Sequence, residues 1–128
     1  MKYFGTDGIR GKYGDFEVSE PFYEGLGMAC ADSLNEKCGG GLVVVGCDTR
    51  ASSESLKEAF CRGLGRRGIN FEDMGVLPTP ALAYAVLKRG AKLGAMITAS
   101  HNPYTDNGIK FFDSNARKVD DAFQLDIE

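Results

Sequence analysis

The sequence lacks the features that several protein classes require. No run approaches the roughly 20 apolar residues of a membrane span, and the first residues contain no apolar segment typical of a signal peptide. The net charge is −3, so the basic excess of a nucleic-acid-binding protein is missing. No repeat, linker or low-complexity segment is present. We therefore expect a single cytoplasmic domain over residues 1–128, with no nucleic-acid or membrane partner.

The four cysteines form no C-x-x-C pair and no spacing typical of a metal site. We expect reduced, packed thiols of a cytosolic protein at all four positions, Cys30, Cys38, Cys47 and Cys61. Hydrophobic residues make up 43% of the chain and charged residues 26%, which is typical of a folded domain rather than a disordered one.

Apolar spacing predicts helices that alternate with strands, which indicates an α/β fold. The predicted helices are 19–37, 53–67, 80–89 and 120–128, with Ser19 and Thr79 as N-caps. The predicted strands are 42–46, 69–76, 93–98 and 109–113. The first of these reads LVVVG, a β-branched run typical of a central parallel strand that is covered on both faces.

The only histidine, His101, directly follows Ser100 in residues 97–112, which read ITASHNPYTDNGIKFF. Strand-like apolar runs precede and follow this segment. The dipeptide Asn107-Gly108 is typical of a tight turn with positive φ between paired strands. We therefore expect Ser100 and His101 on a loop at the exit of a buried strand, where catalytic side chains are common.

Ser100 lacks the surroundings of a hydrolase nucleophile. The G-x-S-x-G motif is absent because Thr98 and Asn102 occupy its glycine positions. Neighbouring side chains in extended backbone point to opposite faces, so a direct proton relay to His101 is not expected. A phosphoryl group on Ser100 is the better hypothesis. It would bring about −1.5 to −2 charges, which require a metal ion or basic neighbours such as His101 and Lys110.

Four segments together resemble the α-D-phosphohexomutase superfamily: TASHNP followed by NGIK, FGTDGIRG near the start, GCDTR in the middle and LPTPALAYAV after it. The resemblance runs from Lys2 to the last residue and covers the first of the family's four domains, with most similarity to the bacterial branch that acts on glucosamine phosphates. It implies a three-layer α/β/α sandwich. The implied sheet is mixed and four-stranded, with order 2-1-3-4 and strand 4 antiparallel, and ligands bind at its topological switch point.

The resemblance also implies roles for individual residues. Ser100 would carry the phosphoryl group, bind Mg²⁺ through that phosphate and exchange the group with a hexosamine phosphate through a bisphosphate intermediate. His101 and Lys110 would assist proton transfer, and Arg10 would be a basic residue at the mouth of the site. Arg50 and Ser52 would support the loop.

The remaining parts of such an enzyme lie in later domains of the family. The sequence contains no D-x-D, so the carboxylates that complete a Mg²⁺ site are expected from a second domain. We expect the other domains of the same enzyme as partners and no turnover by this domain alone, with apolar Phe123, Leu125 and Ile127 exposed near the end. The alternatives are a phosphomannomutase or phosphoglucomutase domain, and a stand-alone sugar-phosphate-binding module without turnover.

Overall fold

A five-stranded mixed sheet forms the centre of the computed structural model, which describes residues 3–5 and 8–127 except for the side chain of residue 125. The order of strands across the sheet is β1-β5-β4-β2-β3. In chain order the elements are β1 (Ile9–Lys12), α1 (Glu20–Cys38), β2 (Leu42–Cys47), α2 (Ser53–Arg66), β3 (Asn70–Val76), α3 (Thr79–Arg89), β4 (Leu93–Ile97), β5 (Asp106–Asp113) and α4 (Asp121–Ile127).

The predicted α/β fold is confirmed, and the four predicted strands lie next to one another in the predicted order. β2 pairs in parallel with β3 and β4, and β5 is antiparallel to β4. The predicted number of strands is wrong, because β1 adds a fifth strand antiparallel to β5, with Ile9 opposite Ile109. Ile9 is only 1% exposed, so pairing with β5 both buries this side chain and satisfies the backbone groups of the β5 edge.

The sheet separates two apolar clusters, as a three-layer sandwich requires. Val43 and Val45 of β2 pack in the larger cluster, which also holds side chains of α1 and α2. Val44, between them, points to the opposite face and packs in the smaller cluster with Leu82 and Val86 of α3. The β-branched run is therefore buried on both faces, as its sequence predicts.

The helices begin and end within one residue of the predicted bounds, but one predicted N-cap is wrong. Ser19 caps α1, and its side chain accepts the backbone N–H of Phe22. The predicted N-cap Thr79 is wrong. Pro78 occupies the cap position and α3 begins at Thr79, because the extended backbone of the proline leads directly into the helix.

The terminal helix α4 packs on the core instead of exposing its apolar side. Ile127 is only 6% exposed, and the ring of Phe123 lies 6.2 Å from that of Phe111. The expected exposed surface is therefore wrong for Ile127, and Phe123 is partly buried against the core, because their i, i+4 spacing places them on one side of the helix. The side chain of Leu125 lies outside the described part of the structure.

The cysteines are all free thiols, and three of them are buried. Cys38 is exposed, so packing was predicted correctly for the other three only. Over the described residues, no helix is both long enough and apolar enough to cross a bilayer.

Candidate functional site

The segment that holds Ser100 begins at the carboxyl end of β4 and returns in β5. At that edge of the sheet Ile97, the last residue of β4, is the register partner of Cys47, the last residue of β2. The chain that leaves β2 and the chain that leaves β4 are therefore side by side. This edge is where the sequence predicts the switch point of the sheet.

The predicted turn at Asn107-Gly108 is wrong, because both residues lie inside β5 and pair with Gly11 and Arg10. The chain turns earlier, where the Asp106 N–H donates to the Pro103 carbonyl at 2.9 Å. The Asn107 side chain is fully buried, and its amide finds two hydroxyl acceptors at the start of α2, namely Ser52 Oγ at 2.8 Å and Ser53 Oγ at 3.0 Å. These tertiary contacts outweigh the local turn preference.

Ser100 is exposed and has a φ of +50°, in the left-handed region that few non-glycine residues adopt. The extended backbone assumed for it is therefore wrong. Its N–H donates to Thr98 Oγ1 at 3.0 Å, and its carbonyl accepts from Arg50 Nη2 at 2.7 Å. Strained backbone of this kind costs on the order of 1–3 kcal/mol, is held by its surroundings and is common at functional sites.

Arg50 binds the whole loop from inside. Its side chain is 8% exposed, and its two terminal nitrogens donate to four loop carbonyls. These acceptors are the carbonyls of Pro103 at 2.6 Å, Asp106 at 3.2 Å, Ser100 at 2.7 Å and Asn102 at 3.1 Å. A guanidinium with its planar set of donors can satisfy this number of carbonyls, whereas an ammonium cannot.

Asp48 lies beneath the loop and anchors Arg50. Its Oδ2 accepts from Arg50 Nε at 3.0 Å and from Thr98 Oγ1 at 2.7 Å, and its Oδ1 accepts from Ser53 Oγ at 2.6 Å. Burial alone would raise the pKa of Asp48, but the hydrogen bonds from Ser53, Thr98 and Arg50 outweigh it and lower that pKa. The carboxylate is therefore ionised at neutral pH.

Arg10 reaches Ser100 from the edge strand β1. Its Nη2 donates to Ser100 Oγ at 3.2 Å and its Nη1 to Asn102 Oδ1 at 3.4 Å. Gly108 makes room for this side chain, because a Cβ at Gly108 would lie 2.7 Å from Arg10 Cγ and 2.5 Å from the Ile9 carbonyl oxygen. The glycine that suggests a turn in the sequence thus serves a close approach between strands.

Lys110 lies on the same face of the sheet as Arg10. Gly108 is the register partner of Arg10, and side chains two residues apart in a strand share a face. Lys110 is half-buried. The backbone of Gly8, with φ of +85°, covers it so closely that a Cβ there would lie 3.0 Å from Lys110 Cβ. The glycine-rich segment therefore packs against the lysine.

His101 is exposed, and its imidazole forms no hydrogen bond with any other described residue. The structure thus brings Arg10 to Ser100, places Lys110 on the face of Arg10, and leaves His101 at the surface of the loop. Over residues 3–5 and 8–127, no group of three or more His, Cys, Asp or Glu side chains could hold a metal ion.

The sequence did not point to the roles of Asp48, Thr98 and Asn107 in this loop. In the sequence Asp48 belongs only to the GCDTR segment of the resemblance, Thr98 was expected only to end a strand, and Asn107 to turn the chain. If Arg50 had been expected to be buried, Asp48 could have been predicted as its ion-pair partner, because a buried guanidinium is unfavourable without a nearby carboxylate. Nothing local in the sequence distinguishes Asn107 from a turn residue.

Comparison with known proteins places the chain in a family. The family model for phosphoglucomutase/phosphomannomutase, alpha/beta/alpha domain I, matches residues 1–128. A phosphoglucosamine mutase from Francisella tularensis subsp. novicida is 47% identical over 127 residues, which cover 99% of this chain and 29% of that protein. One from Francisella philomiragia is 46% identical over the same share of both chains. The chain therefore spans less than a third of the length of these relatives.

Solved structures support the same assignment. A crystal structure from Thermus thermophilus, assigned as a phosphomannomutase, superimposes with a TM-score of 0.89 and 38% identity, covering 97% of this chain and 28% of that one. A phosphoglucomutase/phosphomannomutase family protein from Burkholderia thailandensis gives a TM-score of 0.78 and 29% identity, covering 93% and 27%. The chain belongs to the phosphoglucomutase/phosphomannomutase family and corresponds to its α/β/α domain I.

Proposed function

We propose that residues 1–128 form the single phosphoserine-bearing domain of a cytoplasmic phosphohexomutase that interconverts glucosamine 6-phosphate and glucosamine 1-phosphate. One observation carries the proposal: an exposed serine hydroxyl, on a loop locked by buried Arg50, lies 3.2 Å from a guanidinium nitrogen of Arg10. The names of the Francisella relatives, at 46–47% identity, support the choice of glucosamine phosphates.

The neighbours of Ser100 favour a phosphoryl carrier over a hydrolase nucleophile. A hydrolase serine donates its proton to a base, whereas Ser100 Oγ accepts a hydrogen bond from Arg10, which cannot take up a proton. A phosphate on Ser100 would bring about −1.5 to −2 charges. Arg10 offers a positive charge at the oxygen itself, and Lys110 offers another on the same face of the sheet.

The proposed reaction has two steps that leave the enzyme unchanged. A hydroxyl oxygen of the sugar monophosphate attacks the phosphorus on Ser100, the Oγ–P bond breaks and a bisphosphate forms. The sugar hydroxyl gives its proton to His101, and Lys110 gives a proton to Ser100 Oγ as the Oγ–P bond breaks. After the intermediate has turned over, Ser100 Oγ attacks the other phosphate and the steps reverse. Arg10 stabilises the charge on the transferring group in both directions.

The described residues alone do not fit a Mg²⁺ ion, because no cluster of ligands accompanies Ser100. A phosphate on Ser100 would supply one oxygen of the near-octahedral set that Mg²⁺ requires. We propose that the other ligands are carboxylates of a further domain, as the 29% coverage of the relatives suggests. When bound, the ion would offset charge on the phosphoryl group. The chain alone is accordingly proposed to lack turnover, and the remaining domains are its partners.

The test is direct phosphorylation of the full-length gene product. After exposure to glucosamine 1,6-bisphosphate, fragment mass spectrometry should find one phosphoryl group on Ser100 and none on Ser100→Ala. Ser52→Ala serves as the control that keeps the label. A phosphoryl group on Ser52 or Ser114 in the wild-type protein would overturn the proposal.

A sister activity on mannose phosphates has one specific observation in its favour, the similarity to the Thermus thermophilus structure assigned as a phosphomannomutase. The two candidates differ in kcat/KM. We expect a large preference of the full-length enzyme for glucosamine 6-phosphate, because a site that binds an amino group is left with unpaired polar groups by a sugar that lacks it. Equal values for mannose 6-phosphate would favour the sister activity.

A further inference from the structure

The Asp48 carboxylate is the acceptor in all four of its hydrogen bonds. Its Oδ1 accepts from Ser53 Oγ at 2.6 Å and from the Arg50 backbone N–H at 3.1 Å. Its Oδ2 accepts from Thr98 Oγ1 at 2.7 Å and from Arg50 Nε at 3.0 Å. The carboxylate is therefore the end point of the network. Only a side chain that accepts on both of its terminal atoms fits this position.

A first connection runs from Asp48 through Thr98 to the amide of Ser100. Thr98 is 5% exposed, and its hydroxyl gives its hydrogen to Asp48. Its oxygen is then free to accept the Ser100 N–H, at 3.0 Å. The orientation of this one hydroxyl is thus set by the carboxylate, and it fixes the N–H side of Ser100.

A second connection runs from Asp48 through Arg50 to the carbonyl of Ser100. Arg50 Nε is held by Asp48, and its Nη2 donates to the Ser100 carbonyl at 2.7 Å. Both backbone polar groups of Ser100 are therefore held by residues that Asp48 holds. Because Ser100 has a φ of +50°, release of either connection favours relaxation to a common conformation, which would turn Oγ away from Arg10.

We propose that Asp48 is a positioning residue for phosphoryl transfer at Ser100. It does not touch Ser100, but through Thr98 and Arg50 it fixes the strained backbone that directs Oγ toward the guanidinium of Arg10. This inference rests on the proposed function, because it concerns the rate of the same transfer. A small displacement of a reacting oxygen is enough to slow an in-line displacement strongly.

The substitution Asp48→Asn tests the inference in the full-length protein. Each Asp48 oxygen accepts one donor of Arg50, and neither donor can become an acceptor. Wherever the new amide nitrogen lies, one bond to Arg50 is therefore lost. We expect kcat to fall roughly 10²-fold and KM to stay within about threefold, because the carboxylate acts on the reacting oxygen and not on sugar binding.

The matched control is Asp73→Asn. Asp73 also neutralises a buried cation, since its Oδ1 lies 2.8 Å from Lys57 Nζ. This pair joins β3 to α2, and its other hydrogen bonds go to Glu54 and Gly75 and not to the loop. The control should lower the melting temperature and leave kcat unchanged. A role of Asp48 in stability alone would give both variants the same pattern, with kcat intact below the melting temperature.

Two substitutions at Thr98 keep the test decisive if Asp48→Asn does not fold. Thr98→Val preserves the shape and the carboxylate but removes the first connection, and we expect about a tenfold loss of kcat. Thr98→Ser restores the hydroxyl and should return kcat to within about threefold. In the double variant of Asp48→Asn and Thr98→Val the losses should not add, because both break one network.

The outcomes separate this inference from the proposed function. A wild-type enzyme that turns over no hexose or hexosamine phosphate would overturn both. An active wild type together with an Asp48→Asn enzyme of normal kcat, or with Thr98→Ser as slow as Thr98→Val, would overturn the positioning role alone. The expected loss of kcat, with rescue by Thr98→Ser, would support it.

Discussion

Two buried cations lie close together in the chain and differ in the groups that they bind. Arg50 precedes α2, and Lys57 lies within it. Their side chains are 8% and 2% exposed, and each pairs with an aspartate that is partly open to solvent. Arg50 uses one nitrogen for Asp48 and two for four loop carbonyls. Lys57 bonds Asp73 at 2.8 Å and Glu54 at 3.2 Å.

A buried positive charge therefore fixes the backbone path of a loop in one place and joins two packed elements in the other. The planar guanidinium fixes the path of a loop that lies outside the helices and strands, because its donors match several carbonyls at once. The ammonium ties α2 to β3, two elements that are already packed, and specifies no new backbone conformation. Substitutions that break the contacts of Arg50 should therefore reduce catalytic activity, whereas those that break the contacts of Lys57 should reduce stability alone.

The largest expected effect comes from Arg50→Lys. A lysine cannot reach Asp48 and four carbonyls together, so several buried carbonyls lose their donor. We expect the free energy of unfolding to fall by about 3 kcal/mol and kcat of the full-length enzyme to fall roughly 10²-fold. Urea unfolding and steady-state kinetics measure the two quantities.

The control for Arg50→Lys is Arg62→Lys, since Arg62 is 54% exposed and pairs with Glu24 at the surface. Its unfolding free energy should change by less than about 0.5 kcal/mol. If Arg50→Lys were equally mild, the loop would not depend on the shape of the guanidinium, and the contrast with Lys57 would disappear.

A second prediction concerns the asymmetry of the Lys57 pair. Asp73→Asn should cost about 2 kcal/mol, because it weakens the pairing of a buried ammonium. Lys57→Met should cost less than about 1 kcal/mol. It removes the buried charge, and the side chains of Asp73 and Glu54, 43% and 60% exposed, remain hydrated. Thermal unfolding of both variants measures the two losses of stability. A larger loss for Lys57→Met than for Asp73→Asn would contradict the proposal that the buried charge itself is costly.

The smallest expected effect isolates the strain that the loop imposes. At a φ of +50°, glycine is favoured over alanine, so Ser100→Gly should be more stable than Ser100→Ala by about 1 kcal/mol. Ser114 provides the control, because its φ is not positive and glycine should be the less stable substitution there. Equal unfolding free energies for the two Ser100 variants would mean that the residue is not strained.

The sequence predicted those parts of the molecule that local patterns determine. The run at Val43–Val45 and the helical spacing on both sides of it suffice for a β-strand between helices, because burial on two faces leaves a continuous apolar signal. Ser19 as a cap is equally local. Ser100 on a loop after β4 follows from the strand that precedes it.

Other features depend on contacts between distant residues and were not predictable in this way. The fifth strand exists because Ile9 meets Ile109. Its four residues, IRGK, include two charges and a glycine and carry no strand pattern of their own. Asn107-Gly108 has the composition of a turn, yet strand pairing and a buried amide determine its conformation. The φ of Ser100 results from Thr98 and Arg50, the latter 50 residues away in the chain.

The pairing of β1 with β5 has a consequence for the order in which the molecule is assembled. Arg10 and Ser100 are 90 residues apart, and the strand that carries Arg10 lies at the edge of the sheet. Bringing together residues so far apart in the chain costs entropy, so the other four strands can pair before β1 docks. During synthesis Arg10 is made long before Gly108, its register partner in β5, against which its side chain packs. The serine therefore acquires its positive neighbour only when the first and the last strand have met.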